Sequence, residues 1–305
     1  MENTGQLYAD VSSRYSQVII YGAKGWLGRT SIELFINLGI NPLSLLLIGS
    51  RSENMNFLDH NFQVFNFNEA VPLIKDGSLF LNFAFLRREK AETLSGEEFV
   101  AKNLEIMSFS KSALKTGKIK TFINISSGVA ALTETSPSAK EDPYAALKAL
   151  DEIWLETVCN QLGVDLINCR LYSTSGKYIN EFKNLALSSF ILQAFSDRLI
   201  HVNSPDTKRT YVDAEDLLKV LLHLAIGGIT CSLDSGGEMT TMKELASVVA
   251  LEIGNTSIST VDPEFAPNNY FGNYFEFNSV ADKYGVKLRN LKEQVAITSA
   301  GITKR

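Results

Sequence analysis

Residues Tyr21-Gly22-Ala23-Lys24-Gly25-Trp26-Leu27-Gly28 follow the apolar run Val18-Ile19-Ile20 and precede an amphipathic stretch carrying Ile32, Leu34, Phe35 and Leu38. A strand, a glycine turn and a helix in that order constrain this chain more than any other feature. Gly22 permits the tight turn out of the strand. Gly25 removes a side chain where a pyrophosphate must approach the backbone, and Gly28 lets the helix pack closely on the sheet. The N–H groups that open the helix then face the phosphate charge. The spacing is GxxGxxG, and its strand and helix context makes it a nucleotide-binding turn. Lys24, Trp26 and Leu27 join the three glycines as expected cofactor contacts.

The runs that follow read as alternating strands and helices. Leu43 to Ile48 is apolar throughout, as in a strand buried on both faces, and ends in Gly49-Ser50-Arg51. Arg51 lies about 20 residues past the glycine turn, where an acidic residue grips the adenosine ribose of NAD. An arginine there suits a 2′-phosphate, because its planar fork pairs with phosphate oxygens, and Ser50 adds a hydrogen bond. The expected cofactor is therefore NADP, with NAD the lesser alternative. Further strands are expected at Gln63 to Phe67, Leu79 to Ala84, Thr121 to Ile125 and Asp165 to Leu171. Ala84, at the exit of the fourth strand, joins the cofactor set. A helix is expected from Glu97 to Thr116, and its Asn103 is a polar residue in reach of an active site. After Ser126-Ser127-Gly128 a polar loop is expected through Pro137. Asp142 and Pro143 then open a long helix, as N-cap and first helical residue.

Tyr144 and Lys148 lie four apart on that helix, on one face. A phenol is a weak base, with a pKa near 10, but a neighbouring ammonium lowers it. Tyr144 is then the expected acid/base for a carbonyl or alcohol as hydride moves to or from a nicotinamide. Ser127 holds the same oxygen by a hydrogen bond, and Lys148 is expected to reach the nicotinamide ribose as well. Beyond residue 170 the alternation becomes irregular, with the tail from Asp262 to Phe277 expected as loop.

These motifs, together with Arg209-Thr210-Tyr211-Val212-Asp213-Ala214-Glu215-Asp216-Leu217, resemble the extended short-chain dehydrogenase/reductases, in their nucleotide-sugar epimerase/dehydratase branch. The resemblance implies an α/β fold, a Rossmann-type doubly wound parallel sheet over residues 1–170. It implies a smaller mixed α/β substrate lobe over residues 171–305, with the two interleaved. It also implies the triad Ser127, Tyr144 and Lys148, and a sugar-nucleotide site in which Arg209 contacts the diphosphate or nucleoside. Three departures stand out. Gly128 and Val129 replace the acidic pair of the dehydratases, which argues against elimination of water. Ser173, after Arg170, replaces the family's asparagine and is expected at the substrate with Arg209 and Asn103. Phe85 stands where the fourth strand usually ends in small residues, and is expected to reshape the nicotinamide pocket.

The expected activity is NADP-dependent reduction of a keto group on a nucleotide-linked deoxysugar. A 4-epimerase with the same three residues and a non-catalytic NADP-binding module are the alternatives. A net charge of −5 offers no general basic field for nucleic acid, and no apolar stretch approaches the ~20 residues of a membrane span. The N-terminal stretch is polar and shows no apolar signal core. Cys159, Cys169 and Cys231 lack metal-site spacing and fit a reducing, cytoplasmic setting. No metal is expected. A homodimer through the helices at 97–116 and 143–162 is expected by analogy.

Overall fold

The computed structural model describes residues 4–91, 93–133, 141–180, 184–261 and 267–303. The chain forms two compact units, one from residues 1–170 and 221–233, the other from 171–220 and 234–305.

The first unit is built on an eight-stranded sheet, in the order β11-β7-β6-β5-β1-β2-β4-β3. The strands are β1 (Val18–Tyr21), β2 (Leu45–Ile48), β3 (Glu53–Phe57), β4 (His60–Phe65), β5 (Ser78–Asn82), β6 (Ile119–Ser127), β7 (Asp165–Leu171) and β11 (Cys231–Asp234). Pairings of β1 with β2 and β5, of β2 with β4 and of β5 with β6 are parallel. Leaving out β3 and β11, the order is that of a doubly wound, Rossmann-type sheet, which reverses between β1 and β5. All four residues of β1 and of β2 are buried, which explains their unbroken apolar sequence. The helices of this unit are α1 (Thr4–Arg14), α2 (Trp26–Asn37), α3 (Phe67–Ala70), α4 (Arg88–Ala91), α5 (Gly96–Leu114), α6 (Gly128–Leu132) and α7 (Pro143–Leu162). Its core joins Ile19, Tyr21, Phe80, Phe109, Phe122 and Leu155 across the sheet and helices α5 and α7.

Several local expectations are corrected here. The third strand begins at His60, and an antiparallel partner, β3, precedes it. The turn between them passes through Leu58 and Asp59 at φ 51° and 59°, a left-handed turn without the glycine that usually marks one. Ser127 is followed by the short helix α6 in place of a loop. The rest of that expected loop, to Pro137, lies outside the described residues. The polar N-terminus forms α1, anchored by Arg14 on Asp165 at 2.9 Å and by the Tyr15 hydroxyl on Ala225 O at 2.7 Å.

The second unit holds a three-stranded sheet in the order β12-β10-β8, made of β8 (Ser173–Ser175), β10 (Lys208–Asp213) and β12 (Glu238–Thr241). A two-stranded parallel pair joins β9 (Leu199–Val202) to β13 (Ser257–Thr260). Helices α8 (Ala186–Ser196), α10 (Met242–Ile253) and α12 (Leu291–Thr303) pack around Ile191, Tyr211, Leu245 and Val295, and α11 (Tyr274–Lys283) buries Phe277 and Ala281. Helix α9 (Ala214–Ile226) contributes its first half to this unit and its second half to the other. Residues 262–266 of the expected loop lie outside the described residues. That loop stops at Asn273, short of Phe277, since α11 starts at Tyr274.

Candidate active site

The glycine turn sits at the carboxyl ends of β1 and β2. Gly22 N–H and Ala23 N–H both donate to Ile48 O, at 3.0 and 3.2 Å, and Gly25 N–H donates to Gly22 O at 2.9 Å. Gly22 has φ 89°, and a Cβ there would meet the backbone of Phe83 and Ala84 at 3.0 to 3.1 Å. The turn is therefore pressed against the exit of β5, at the reversal point of the sheet. A Cβ on Gly28 would fall 2.6 Å from Ala23 O, so this helix approaches the turn only because residue 28 is glycine. Gly25 caps α2 without a side-chain bond, and the first turn carries no acidic residue. The opening N–H groups of a helix have no partner within it. An uncapped helix end with no carboxylate beside it, lined by glycine, fits the pyrophosphate of a dinucleotide.

At the end of β2, Ser50 and Arg51 are exposed. Arg51 donates through Nε and Nη2 to the two carboxylate oxygens of Glu53, each at 3.3 Å. Lys24, from the glycine turn, pairs with the same carboxylate. These cations hold the Glu53 carboxyl below its usual range, Lys24 more than Arg51. Arg51, expected at a 2′-phosphate, and Lys24, expected at the cofactor, are thus brought together, and Glu53, which no sequence motif marks, lies between them.

Helix α7 begins as expected. Asp142 accepts from Tyr144 N–H at 3.0 Å and Pro143 follows at the first helical position. Asp142 also pairs with Arg88. Tyr144 is half-buried and Lys148 is only 4% exposed. The Lys148 Nζ donates to Ile125 O at 2.8 Å and lies 3.9 Å from the centre of the Phe85 ring. The same ring meets Tyr144 edge-to-face at 5.8 Å. Burial pushes the Lys148 ammonium down to about 8, against the pull of Asp151 and Glu152. Ser127 closes β6, and its side chain makes no capping bond to α6 although its position is that of an N-cap. Tyr144, Lys148, Phe85 and Ile125 thus form one cluster, with Ser127 two residues beyond Ile125 on β6.

Asn103 is fully buried in α5. Its Oδ1 accepts from Leu86 N–H at 2.8 Å, while Nδ2 donates to Phe99 O at 3.2 Å and Leu86 O at 3.4 Å. The carboxamide is committed to Leu86, the residue after Phe85, and to Phe99.

A buried polar ladder also runs through the sheet behind this cluster. Asn82 Nδ2 donates to Asn124 Oδ1 at 2.9 Å. Asn124 Nδ2 donates to Asn168 Oδ1 at 3.0 Å and to Asp151 Oδ2 at 3.3 Å. Arg170 pairs bidentately with Glu152, the shortest contact being 2.8 Å. Nothing in the spacing of these residues announced the ladder.

In the second unit, Arg209 projects from β10, its Nη1 donating to Asn268 O at 2.8 Å and its guanidinium 5.2 Å from the Tyr270 ring centre. Tyr270 packs on Tyr172 at 4.8 Å, next to Ser173, which pairs in register with Tyr211 of β10. Arg209 and Ser173 therefore belong to one neighbourhood. Asp213, the acidic residue of that segment, accepts from Glu215 N–H at 2.9 Å and pairs with Arg289 at 2.8 Å. Among the described residues no three His, Cys, Asp or Glu side chains gather as a metal site, and no helix is long and apolar enough to cross a membrane.

Comparison with solved structures finds close likeness of fold at low identity. The UDP-N-acetylglucosamine 4-epimerase from Methanobrevibacter ruminantium M1, in complex with UDP-N-acetylmuramic acid, matches with a TM-score of 0.74 at 17% identity, covering 96% of this chain and 100% of that chain. RMD from Pseudomonas aeruginosa, complexed with NADPH, matches at 0.71 and 17% identity over 95% of this chain and 99% of that one. The dTDP-glucose 4,6-dehydratase from Streptomyces venezuelae, with NAD and TYD bound, matches at 0.72 and 14% identity over 95% and 97%. A search of curated protein sequences gave no match. The model of the NAD dependent epimerase/dehydratase family matches residues 18–226, from the first strand of the sheet to the last residue of α9. The chain belongs to that family.

Proposed function

We propose that the protein is an NADP-dependent reductase acting on a keto group of a nucleotide-linked sugar. The observation that carries this reading is that Tyr144 and Lys148 both meet Phe85, next to Phe83 and Ala84 on which the Gly22 turn is pressed, with Lys24 and Arg51 converging at the end of β2. A nicotinamide cofactor, held by the Gly22–Gly28 turn, would supply the hydride. Tyr144 would deliver a proton to the carbonyl oxygen of the substrate and be reprotonated from water. Ser127 donates a hydrogen bond to the same oxygen and orients it. Lys148 stabilises the phenolate left on Tyr144 through its charge. Gly128 and Val129 in place of an acidic pair disfavour water elimination. Arg209, with Ser173 nearby, is the candidate for the nucleotide part of the substrate, because a guanidinium matches a diphosphate.

An epimerase is the second reading, favoured by neighbours that are themselves 4-epimerases. Absorbance at the nicotinamide band separates the two. A reductase consumes NADPH in proportion to keto-sugar nucleotide, whereas an epimerase interconverts sugars with no net change. Replacing Tyr144 by Phe lowers turnover at least a hundredfold in either case, and retained turnover refutes the mechanism. The exposed Leu104 on α5, with Leu150 and Ile153 on α7, supports a dimer through those helices, which sedimentation equilibrium tests.

A further inference from the structure

Helix α7 turns three charged side chains inward. Lys148, Asp151 and Glu152 are 4%, 1% and 7% exposed, and a buried charge is costly unless a partner answers it. Glu152 is answered by Arg170 of β7, from which it accepts at 2.8 to 3.2 Å. Lys148 and Asp151 stand three apart, which makes them neighbours on one helix face, with about 5–6 Å between their Cβ atoms. Consecutive residues of β6 hold them there. Ile125 O accepts from Lys148 Nζ at 2.8 Å, and Asn124 Nδ2 donates to Asp151 Oδ2 at 3.3 Å. The other carboxylate oxygen, Asp151 Oδ1, is buried with no hydrogen-bond partner. The asparagine ladder fixes which end of Asn124 meets the carboxylate. Asn124 Oδ1 is taken by Asn82 Nδ2 at 2.9 Å, so its amide nitrogen is the end turned to Asp151 and Asn168. A donor there favours the carboxylate over the acid. The elements packed on α7 add little further charge. Among the described residues, β7 brings Arg170 to this face, β5 and β6 bring the neutral Asn82 and Asn124, and Phe85 covers Lys148 with an aromatic face. Helix α6 has no charged residue, and those of α5 are exposed.

We infer that Asp151 is a positioning residue, whose carboxylate, held by Asn124, is the counter-charge that keeps Lys148 an ammonium in a site closed to water. It acts on Tyr144 only through Lys148. The inference therefore deepens the proposed mechanism and rests on the reading of Tyr144 and Lys148 as its proton-transfer pair. Burial drives the Lys148 ammonium down to about 8, and Asp151 opposes that more than Glu152 does. The connections explain the order. The charge of Glu152 is spent on Arg170, while the cation acting on Asp151 is Lys148 itself. Burial likewise pushes the Asp151 carboxyl up, and Lys148 and the Asn124 donor hold it down. Each charge supports the other at a depth where neither is stable alone. The ladder thereby does more than fill the space under α7, since it aims the donor that keeps Asp151 ionised.

The Lys148 Cε chemical shift, assigned by its loss in Lys148→Arg, is followed against pH in the protein without cofactor. The wild type titrates near 8. Asp151→Asn keeps the size of the side chain and an oxygen for Asn124 but removes the charge, and the midpoint falls by about one unit or more, the effect of losing a nearby opposite charge. An unchanged midpoint overturns the inference. Asn124→Leu removes the donor and lowers the midpoint by a smaller step. In the Asp151→Asn background it adds no further shift, because the ladder acts through the carboxylate. The same step in both backgrounds refutes that route. A further reading is taken in the wild type and holds even if these variants do not fold. The Asp151 carboxyl carbon reads as a carboxylate at pH 7 and moves again as Lys148 titrates, since coupled groups titrate as a pair. A protonated Asp151 at pH 7 overturns the inference. Turnover separates positioning from support of the fold. In Asp151→Asn the fall of kcat/KM with rising pH sets in about one unit or more earlier, whereas a merely structural role lowers the rate without moving that limb. The titrations need no turnover. A protein that fails to reduce a keto-sugar nucleotide with NADPH therefore counts against the proposed activity, while the Lys148 midpoints still decide what Asp151 does.

Discussion

Lys24 and Arg51 both lean on one carboxylate, Glu53, so an anion arriving at the end of β2 meets cations already in use. Both side chains are well exposed, Arg51 at 74%, and exposed ion pairs are weak, at about 0.2–1 kcal/mol. A 2′-phosphate with bidentate, charge-assisted bonds outcompetes such a pair. Arg51→Ala should therefore weaken NADPH about tenfold relative to NADH, and Glu53→Gln should tighten NADPH several-fold (tenfold is about 1.4 kcal/mol). Fluorescence titration at low and high salt measures both, and equal effects on the two cofactors sink the NADP assignment. A pH dependence also belongs at this scale. Lys148 carries its charge below about 8 and loses it above, so kcat/KM should fall as pH rises through that value. A profile flat from pH 7 to 10 rules out a role for its charge. The pair Tyr144 and Lys148 was legible because a spacing of four fixes a shared helix face. Glu53 and the contact of Phe85 with Lys148 were not, since both depend on strands and loops meeting in space.

Among the elements, the long apolar strands and α7 were readable from pattern and capping residues. Strand β3 was not, because Glu53–Phe57 has only two apolar residues, Met55 and Phe57, too few to mark a strand although its burial alternates. Its turn lacks the glycine or asparagine-glycine signal. The start of α11 was hidden by the aromatic and Asn-rich stretch before it. The ladder of Asn82, Asn124 and Asn168 shows in the sequence only as polar interruptions of apolar runs, at 4%, 0% and 1% exposure in the fold. Asn124 is its centre and serves three partners. Asn124→Leu strands the Asn82 amide, the Asn168 carbonyl oxygen and one Asp151 oxygen, and should cost about 2–4 kcal/mol, because each buried polar group left unpaired carries a desolvation penalty. Urea unfolding measures the loss. A change below 0.5 kcal/mol, on the order of a surface substitution, would show the ladder to be dispensable.

For the molecule as a whole, the second unit is tied by Arg289, which pairs with Asp213, Glu215 and Asp216. Asp213 and Asp216 are 3% and 2% exposed, and burial pushes both carboxyls up, Asp216 to about 7, against the pull of Arg289. Arg289→Leu leaves buried carboxylates without their counter-charge and should cost about 3–5 kcal/mol. A carboxyl raised in the fold stabilises most below its unfolded value, and that stability is lost as pH rises through the folded value. The deficit of the variant should therefore be larger at pH 8 than at pH 5, when compared by urea unfolding, and an equal deficit at both would dismiss the carboxylates as its source. The two-unit division was only partly legible, because the chain leaves the first unit after residue 170 and supplies it again from residues 221–233. That return matters during synthesis. Domains tend to fold from the N-terminus as they emerge, but here the outer side of β7 waits for β11, whose last residue is Asp234. More than sixty residues must leave the ribosome while β7 offers an open edge, a state in which strands pair with the wrong chain. A ribosome stalled between residues 171 and 230 should carry a nascent chain prone to associate with others, and that tendency should end once β11 is out.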